Sequence, residues 1–151
     1  MGGDAVFQGK HLHNLDEKGR TSIPASFRKV VQGLGGNQLI LTRDHSPCLI
    51  AFTMDIWQRV TENLAKKSML DPRVMAFERV FTGHAFEAAI DRQGRILIPP
   101  HLREHAGLEK EVVFTGRINK FELWQPARWD EAVTQSLEVL ESGGQDLELF
   151  L

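Results

Sequence analysis

Apolar and polar positions along this chain change their period several times, and each change marks an element. Strand-like apolar runs occur at Leu39–Asp44 (LILTRD), Cys48–Phe52 (CLIAF), Glu111–Arg117 (EVVFTGR) and Lys120–Trp124 (KFELW). Elsewhere the spacing is helical. Ile56, Val60 and Leu64 recur every fourth residue, and Trp129, Val133, Leu137 and Leu140 share one face of a helix starting near Pro126. Asp71-Pro72 has the form of an N-cap followed by a first-turn proline, which predicts a helix to about Phe81. ASFRKVV and PHLREHA read as two short helices entered through proline, whose missing N–H is not needed there. The second of these stops at Gly107, a natural C-cap residue.

Part of this pattern is written twice. LDEKGRTSIPASFR at Leu15–Arg28 returns as IDRQGRILIPPHLR at Ile90–Arg103, with Asp, Gly, Arg, Ile, Pro and a closing Arg coinciding. Matching features flank both copies in the same order: Phe7 or Phe81 before the motif, two strand-like runs after it, then Trp57 or Trp129. Asp at the first place and Gly at the fourth is a favoured β-turn, so Asp16–Gly19 and Asp91–Gly94 are expected at the tips of hairpins. Each unit is then hairpin, strand, short helix and two more strands, and two such units should complete a shared sheet or barrel about a pseudo-twofold axis. Spacing does not settle whether the two tips project from one side or from opposed sides. The expected division is a first repeat over 7–57, a helical insert over 58–80, a second repeat over 81–129, and a C-terminal helix with acidic tail over 130–151.

Composition narrows the function. With 42% hydrophobic residues the chain can build a packed interior. The start, MGGD, is unlike a signal peptide, no apolar run suits a membrane span, and the single Cys48 cannot form an internal disulfide, so a cytoplasmic protein is expected. The formal charge is −2, but residues 130–151 hold six acids and no Lys or Arg, leaving the remaining body at +4. An acidic tail on a mildly basic body permits a local anion-binding face.

The paired stretches HNLDEKGRTSIPASFR and AIDRQGRILIPPHLREHAGL, in this order and separation, resemble the MraZ family of bacterial transcriptional regulators, from about Phe7 to Trp129 and the following helix. The resemblance implies an α+β fold, a duplicated AbrB-like swapped-hairpin β-barrel in which one chain supplies both halves. It also implies sequence-specific binding to direct repeats in double-stranded DNA, in the promoter of a cell-division and cell-wall gene cluster that includes the regulator's own gene, usually as a repressor. Ring-shaped homo-oligomers and association with the nucleoid go with it. The family's Asp-x-x-x-Arg motif carries over to Asp16 and Arg20, and to Asp91 and Arg95. Thr21-Ser22 against Ile96-Leu97, and Lys18 against Gln93, are departures between the copies, so the two tips should differ in contact strength.

The same residues suit DNA on chemical grounds. An arginine leaving a hairpin corner can pair bidentately with guanine O6 and N7, Lys18 can attract a phosphate, and Asp16 can orient the guanidinium. Asp and Arg could equally tie the corner together, which would make the chain a structural or partner-binding scaffold. A third class comes from His101-Leu102-Arg103-Glu104-His105, an H-x-x-E-H pattern in which two histidines on a helix hold zinc beside a glutamate base. The helix is only about two turns long, and its counterpart Ser26–Val30 has neither histidine nor acid, so catalysis is not expected. His11 and His13 alternate on a strand and read as a surface pair, and Cys48 reads as a small core residue. No cofactor is implied.

Overall fold

A computed structural model of the chain describes residues 5–144 and 146–151. Eight strands run β1 (Lys10–Asn14), β2 (Arg20–Ser22), β3 (Gln38–Thr42), β4 (Leu49–Thr53), β5 (Phe86–Ala89), β6 (Arg95–Leu97), β7 (Glu111–Gly116) and β8 (Lys120–Trp124). Between and after them lie α1 (Ala25–Gly33), α2 (Met54–Ala65), α3 (Pro72–Phe81), α4 (Pro100–Ala106), α5 (Pro126–Gly143) and a 3-10 turn at Leu147–Phe150.

Six strands form one antiparallel sheet in the order β1-β7-β8-β4-β3-β5. That order is a palindrome under the repeat, because β4 matches β8, β3 matches β7 and β1 matches β5. The twofold axis therefore passes between β4 and β8, and each motif's leading strand pairs with the other copy: β1 with β7, β5 with β3. The two remaining strands, β2 and β6, pair only with each other, as a two-stranded ribbon centred on Thr21 opposite Ile96.

Two sequence expectations change here. The Asp16–Gly19 turn closes as expected, through Gly19 N–H to Asp16 O at 3.0 Å and Asp16 N–H to Arg20 O at 2.9 Å. Beyond that pair the hairpin opens, because the backbone groups of each arm are satisfied against the other copy. The barrel is likewise not closed among the described residues. β1 and β5 end the sheet at opposite edges, and the concave face is filled by the ribbon, α1 and α4 instead of by further sheet curvature.

Strand alternation builds an apolar layer on each face of the sheet, the outer one in two separate clusters. Leu39, Leu41, Leu49, Ala51, Val112, Phe114, Phe121 and Leu123 face inward to meet Ile23, Phe27, Ile96, Ile98 and Leu102. On the outer face, Ile40, Ile50 and Phe52 pack with Phe81 beneath α2, and Val113 and Trp124 pack beneath α5. Covered on both faces, such strands read as nearly continuous apolar runs. The helix boundaries follow the sequence. The Asp71 side chain accepts from Arg73 N–H, and Gly107 closes α4 in the left-handed region at φ 67°. Of the expected α5 face, Trp129 and Val133 are half-buried, whereas Leu137 and Leu140 are exposed.

Candidate nucleic-acid interface

Paired residues in an antiparallel ribbon point to the same side, and so do residues two apart. With Arg20 opposite Leu97 and Ser22 opposite Arg95, all four lie on one face of the ribbon. Thr21 and Ile96 lie on the other, each about 1% exposed against the core. The register places both motif arginines on the same outward face, with the two turns at opposite ends of the ribbon. As diagonal neighbours they are about 7–8 Å apart at the backbone.

Each arginine is held by one nitrogen. Asp16 Oδ2 accepts from Arg20 Nε at 3.3 Å, and Asp91 Oδ2 accepts from Arg95 Nε at 3.0 Å. The other carboxylate oxygen organises the turn: Asp16 Oδ1 takes Lys18 N–H and Arg20 N–H, and Asp91 Oδ1 takes Gln93 N–H and Arg95 N–H, all within 2.8–2.9 Å. Among the described residues the terminal nitrogens of both guanidinium groups have no hydrogen-bond partner. The pair is therefore neither a closed brace nor two loose charges: each guanidinium is held at Nε and keeps its terminal nitrogens unbonded among the described residues. The backbone N–H of Arg20, followed by that of Lys18 and the Arg20 charge, holds the Asp16 carboxyl below the usual carboxylate range. Asp91 is lowered likewise, first by the Arg95 N–H and then by its side chain.

The tips are fixed by residues to which the sequence assigned no role. A Cβ at Gly19 (φ 87°) would lie 2.7 Å from Arg103 Nε and 2.8 Å from Ile98 O, and one at Gly94 (φ 80°) would lie 2.5 Å from an Arg28 nitrogen. The closing arginine of each copy thus lies against the turn glycine of the other. Arg103 Nε also donates to Ile98 O at 2.8 Å, and Arg28 donates to Arg92 O at 3.4 Å. Coincidence of the closing Arg in both motif copies was the available signal. Arg92, an exposed cation at the second tip where the first has Glu17, was also passed over.

The zinc pattern does not assemble. His101 Nε2 is 3.3 Å from His84 O and His105 Nε2 is 2.8 Å from Ser46 O, so the two rings turn to different parts of the fold. No group of three metal-capable side chains occurs among the described residues. His11 and His13 lie on β1, and the His13 ring bonds the Ser22 hydroxyl at 2.9 Å. Cys48 is fully buried, which pushes its thiol pKa well above the usual value. No described helix is long and apolar enough to cross a membrane.

Comparison with known proteins gives a consistent result. The family model described as "MraZ protein, putative antitoxin-like" matches twice, over residues 6–80 and 81–146. Proteins named "Transcriptional regulator MraZ" are similar over nearly the whole length: one from Hydrogenovibrio crunogenus is 42% identical, covering 91% of each chain. Another from Escherichia fergusonii is 38% identical over 94% of each chain, and one from Enterobacter sp. is 38% identical over 91%.

Proposed function

Because the chain belongs to the MraZ family, we propose that it is a sequence-specific DNA-binding transcriptional regulator that lays the outer face of the β2/β6 ribbon in the major groove. The observation that carries this is the shared orientation of two Asp-held arginines on one exposed two-stranded ribbon. The major groove, about 12 Å wide, admits a ribbon of this kind, and a guanidinium edge matches guanine O6 and N7. In this reading Arg20 and Arg95 contact bases, Asp16 and Asp91 aim them, and Lys18 with Arg92 draws phosphates at the tips.

The regulator represses the promoter of a cell-division and cell-wall gene cluster containing its own gene, through direct repeats, and acts in the cytoplasm at the nucleoid. It works as a ring-shaped homo-oligomer. One ribbon makes few contacts and the chain is net acidic, so several copies at fixed spacing supply the affinity through effective concentration. The exposed Leu137, Val139 and Leu140 of α5 support a subunit surface there. The two repeats, with the helical insert between them and the acidic tail after them, are the units of this design.

Fluorescence anisotropy with a duplex from upstream of the gene, at several salt concentrations and against a scrambled duplex, tests the proposal. Selective binding that weakens with salt, and whose preference over the scrambled duplex falls at least about fivefold in Arg20→Ala with the fold retained, is the expected result. Equal affinity for the scrambled duplex, or normal binding by folded Arg20→Ala, favours the partner-binding scaffold instead.

A further inference from the structure

The twofold of the ribbon is broken at one place on its outer face. Under the repeat Arg20 matches Arg95, but Ser22 matches Leu97. Both are exposed, Leu97 at 41%, and the register sets Leu97 directly opposite Arg20 and Ser22 directly opposite Arg95. One arginine therefore has an isobutyl group beside it, and the other a hydroxyl.

The difference extends one layer down. His13 Nδ1 lies 2.9 Å from Ser22 Oγ, and the residue matching His13 in the second copy is Ala88, buried at 1% exposure. A His–Ser pair in one half is thus an Ala–Leu pair in the other. His13 fixes the hydroxyl in place, while nothing polar lies behind Leu97 at the matching position. Leu97 is thus a large apolar side chain, 41% exposed, on an otherwise charged and polar face.

Resting on the DNA-binding proposal above, we infer that Ser22 and Leu97 set the base preference beside each arginine and give every chain a direction on DNA. Side chains opposite each other in a ribbon are about 5 Å apart, against a rise of about 3.4 Å per base pair. Leu97 therefore covers the base pair that Arg20 contacts or the one next to it. An aliphatic group there is matched by a thymine methyl and mismatched by the polar edges of a G·C pair. The Ser22 hydroxyl keeps a lone pair free to accept whichever role the His13 ring takes, and its proton free when the ring donates, so it tolerates several bases beside Arg95. The site read by one ribbon is consequently not palindromic: it has a thymine-requiring end and a tolerant end. Copies that all bind in the same direction then need repeats in the same direction.

The test is selection of bound duplexes from a randomised pool by the full-length wild type, Ser22→Leu and Leu97→Ser, each checked for folding by circular dichroism. Wild type should select a site with thymine enriched beside only one of two guanines. Leu97→Ser should lower that thymine preference at least about fivefold, the smallest usual cost of one mismatched pair. Ser22→Leu should acquire a second thymine beside the other guanine, making the site nearly symmetric. A wild-type site that stays unchanged in folded Leu97→Ser overturns this inference while leaving the DNA-binding proposal standing. A wild type that selects no sequence overturns both. If Ser22→Leu does not fold, Leu97→Ser alone decides.

Discussion

On the inner side of the sheet the two halves match closely, the Ser22/Leu97 and His13/Ala88 differences aside: each Asp accepts from three donors of its own turn, each turn glycine is covered by the other half's arginine, and each leading strand crosses to the other half. On the outer side they part. In the first half buried Phe52 and half-buried Trp57 pack with Phe81 of α3, at ring separations of 5.2–5.7 Å, and the Thr42 hydroxyl donates to the Phe81 carbonyl. In the second half Trp124 meets Trp129 of α5 at 5.8 Å; among the described residues α3 has no counterpart there, and the matching Thr115 hydroxyl is buried without a partner. A groove of about 790 Å³ lined by Trp124, Arg128, Ala132 and Val139 is left beside α5. Symmetry persists where the halves share a surface, since a change there must suit both, and it relaxes where each half has its own covering. The β2/β6 ribbon lies on the more symmetric side, and each of its arginines is held at Nε by the aspartate of its own turn.

The largest effect that can break this comparison is on DNA affinity. Arg20→Ala and Arg95→Ala should each cost about 1–3 kcal/mol of sequence discrimination, and the double variant should retain only non-specific binding. Titrations against matched and scrambled duplexes measure both; a loss confined to one arginine would make the other a brace. Next come the turn glycines. Ala at Gly19 or Gly94 meets a positive φ and an arginine from the other half, so each should destabilise by about 2 kcal/mol. Thermal melts should show drops of about 4–8 °C, the larger at Gly19, where the added Cβ also meets the Ile98 carbonyl oxygen.

A smaller effect lies on the axis itself. Thr21 is buried with its hydroxyl unpartnered among the described residues, opposite Ile96. Thr21→Val should therefore stabilise by about 1 kcal/mol, whereas Ile96→Thr should destabilise, as read by denaturant midpoints. The smallest effect is on acid stability. Asp16 and Asp91 have folded pKa values below the ordinary 3.8, so each contributes stability that is present above that value and lost as pH falls through the lower folded one. Asp16→Asn and Asp91→Asn should each flatten the acid side of the stability profile and leave its slope near neutrality unchanged.

Much of this was legible from residues alone. The repeat, the turn chemistry of Asp and Gly, the proline entries and the Gly107 cap are local, and local rules carried them. The exchange of β1 and β5 was not legible from spacing, because a hairpin and an exchanged pair of arms share one sequence pattern and differ only in which copy satisfies the backbone. The common face of Arg20 and Arg95 follows from the β2/β6 register, a long-range pairing that period-two alternation does not specify. Arg28 and Arg103 were visible as matches, but their role needs the approach of one half's helix to the other half's glycine. The H-x-x-E-H pattern, set aside in the sequence because its helix is short and its counterpart lacks it, shows the complementary limit. Spacing on a helix says that two rings share a side; it does not say which carbonyls they will meet.

The most direct measurement of the central claim is dimethyl sulfate interference on the upstream duplex, which methylates guanine N7 in the major groove, comparing wild type with Arg20→Ala and Arg95→Ala. Wild type should be blocked by methylation at a small number of guanines, and each variant should become indifferent at a different subset of them. If methylation leaves wild-type binding untouched, or if both folded variants keep the full wild-type pattern, the outer face of the ribbon does not read DNA.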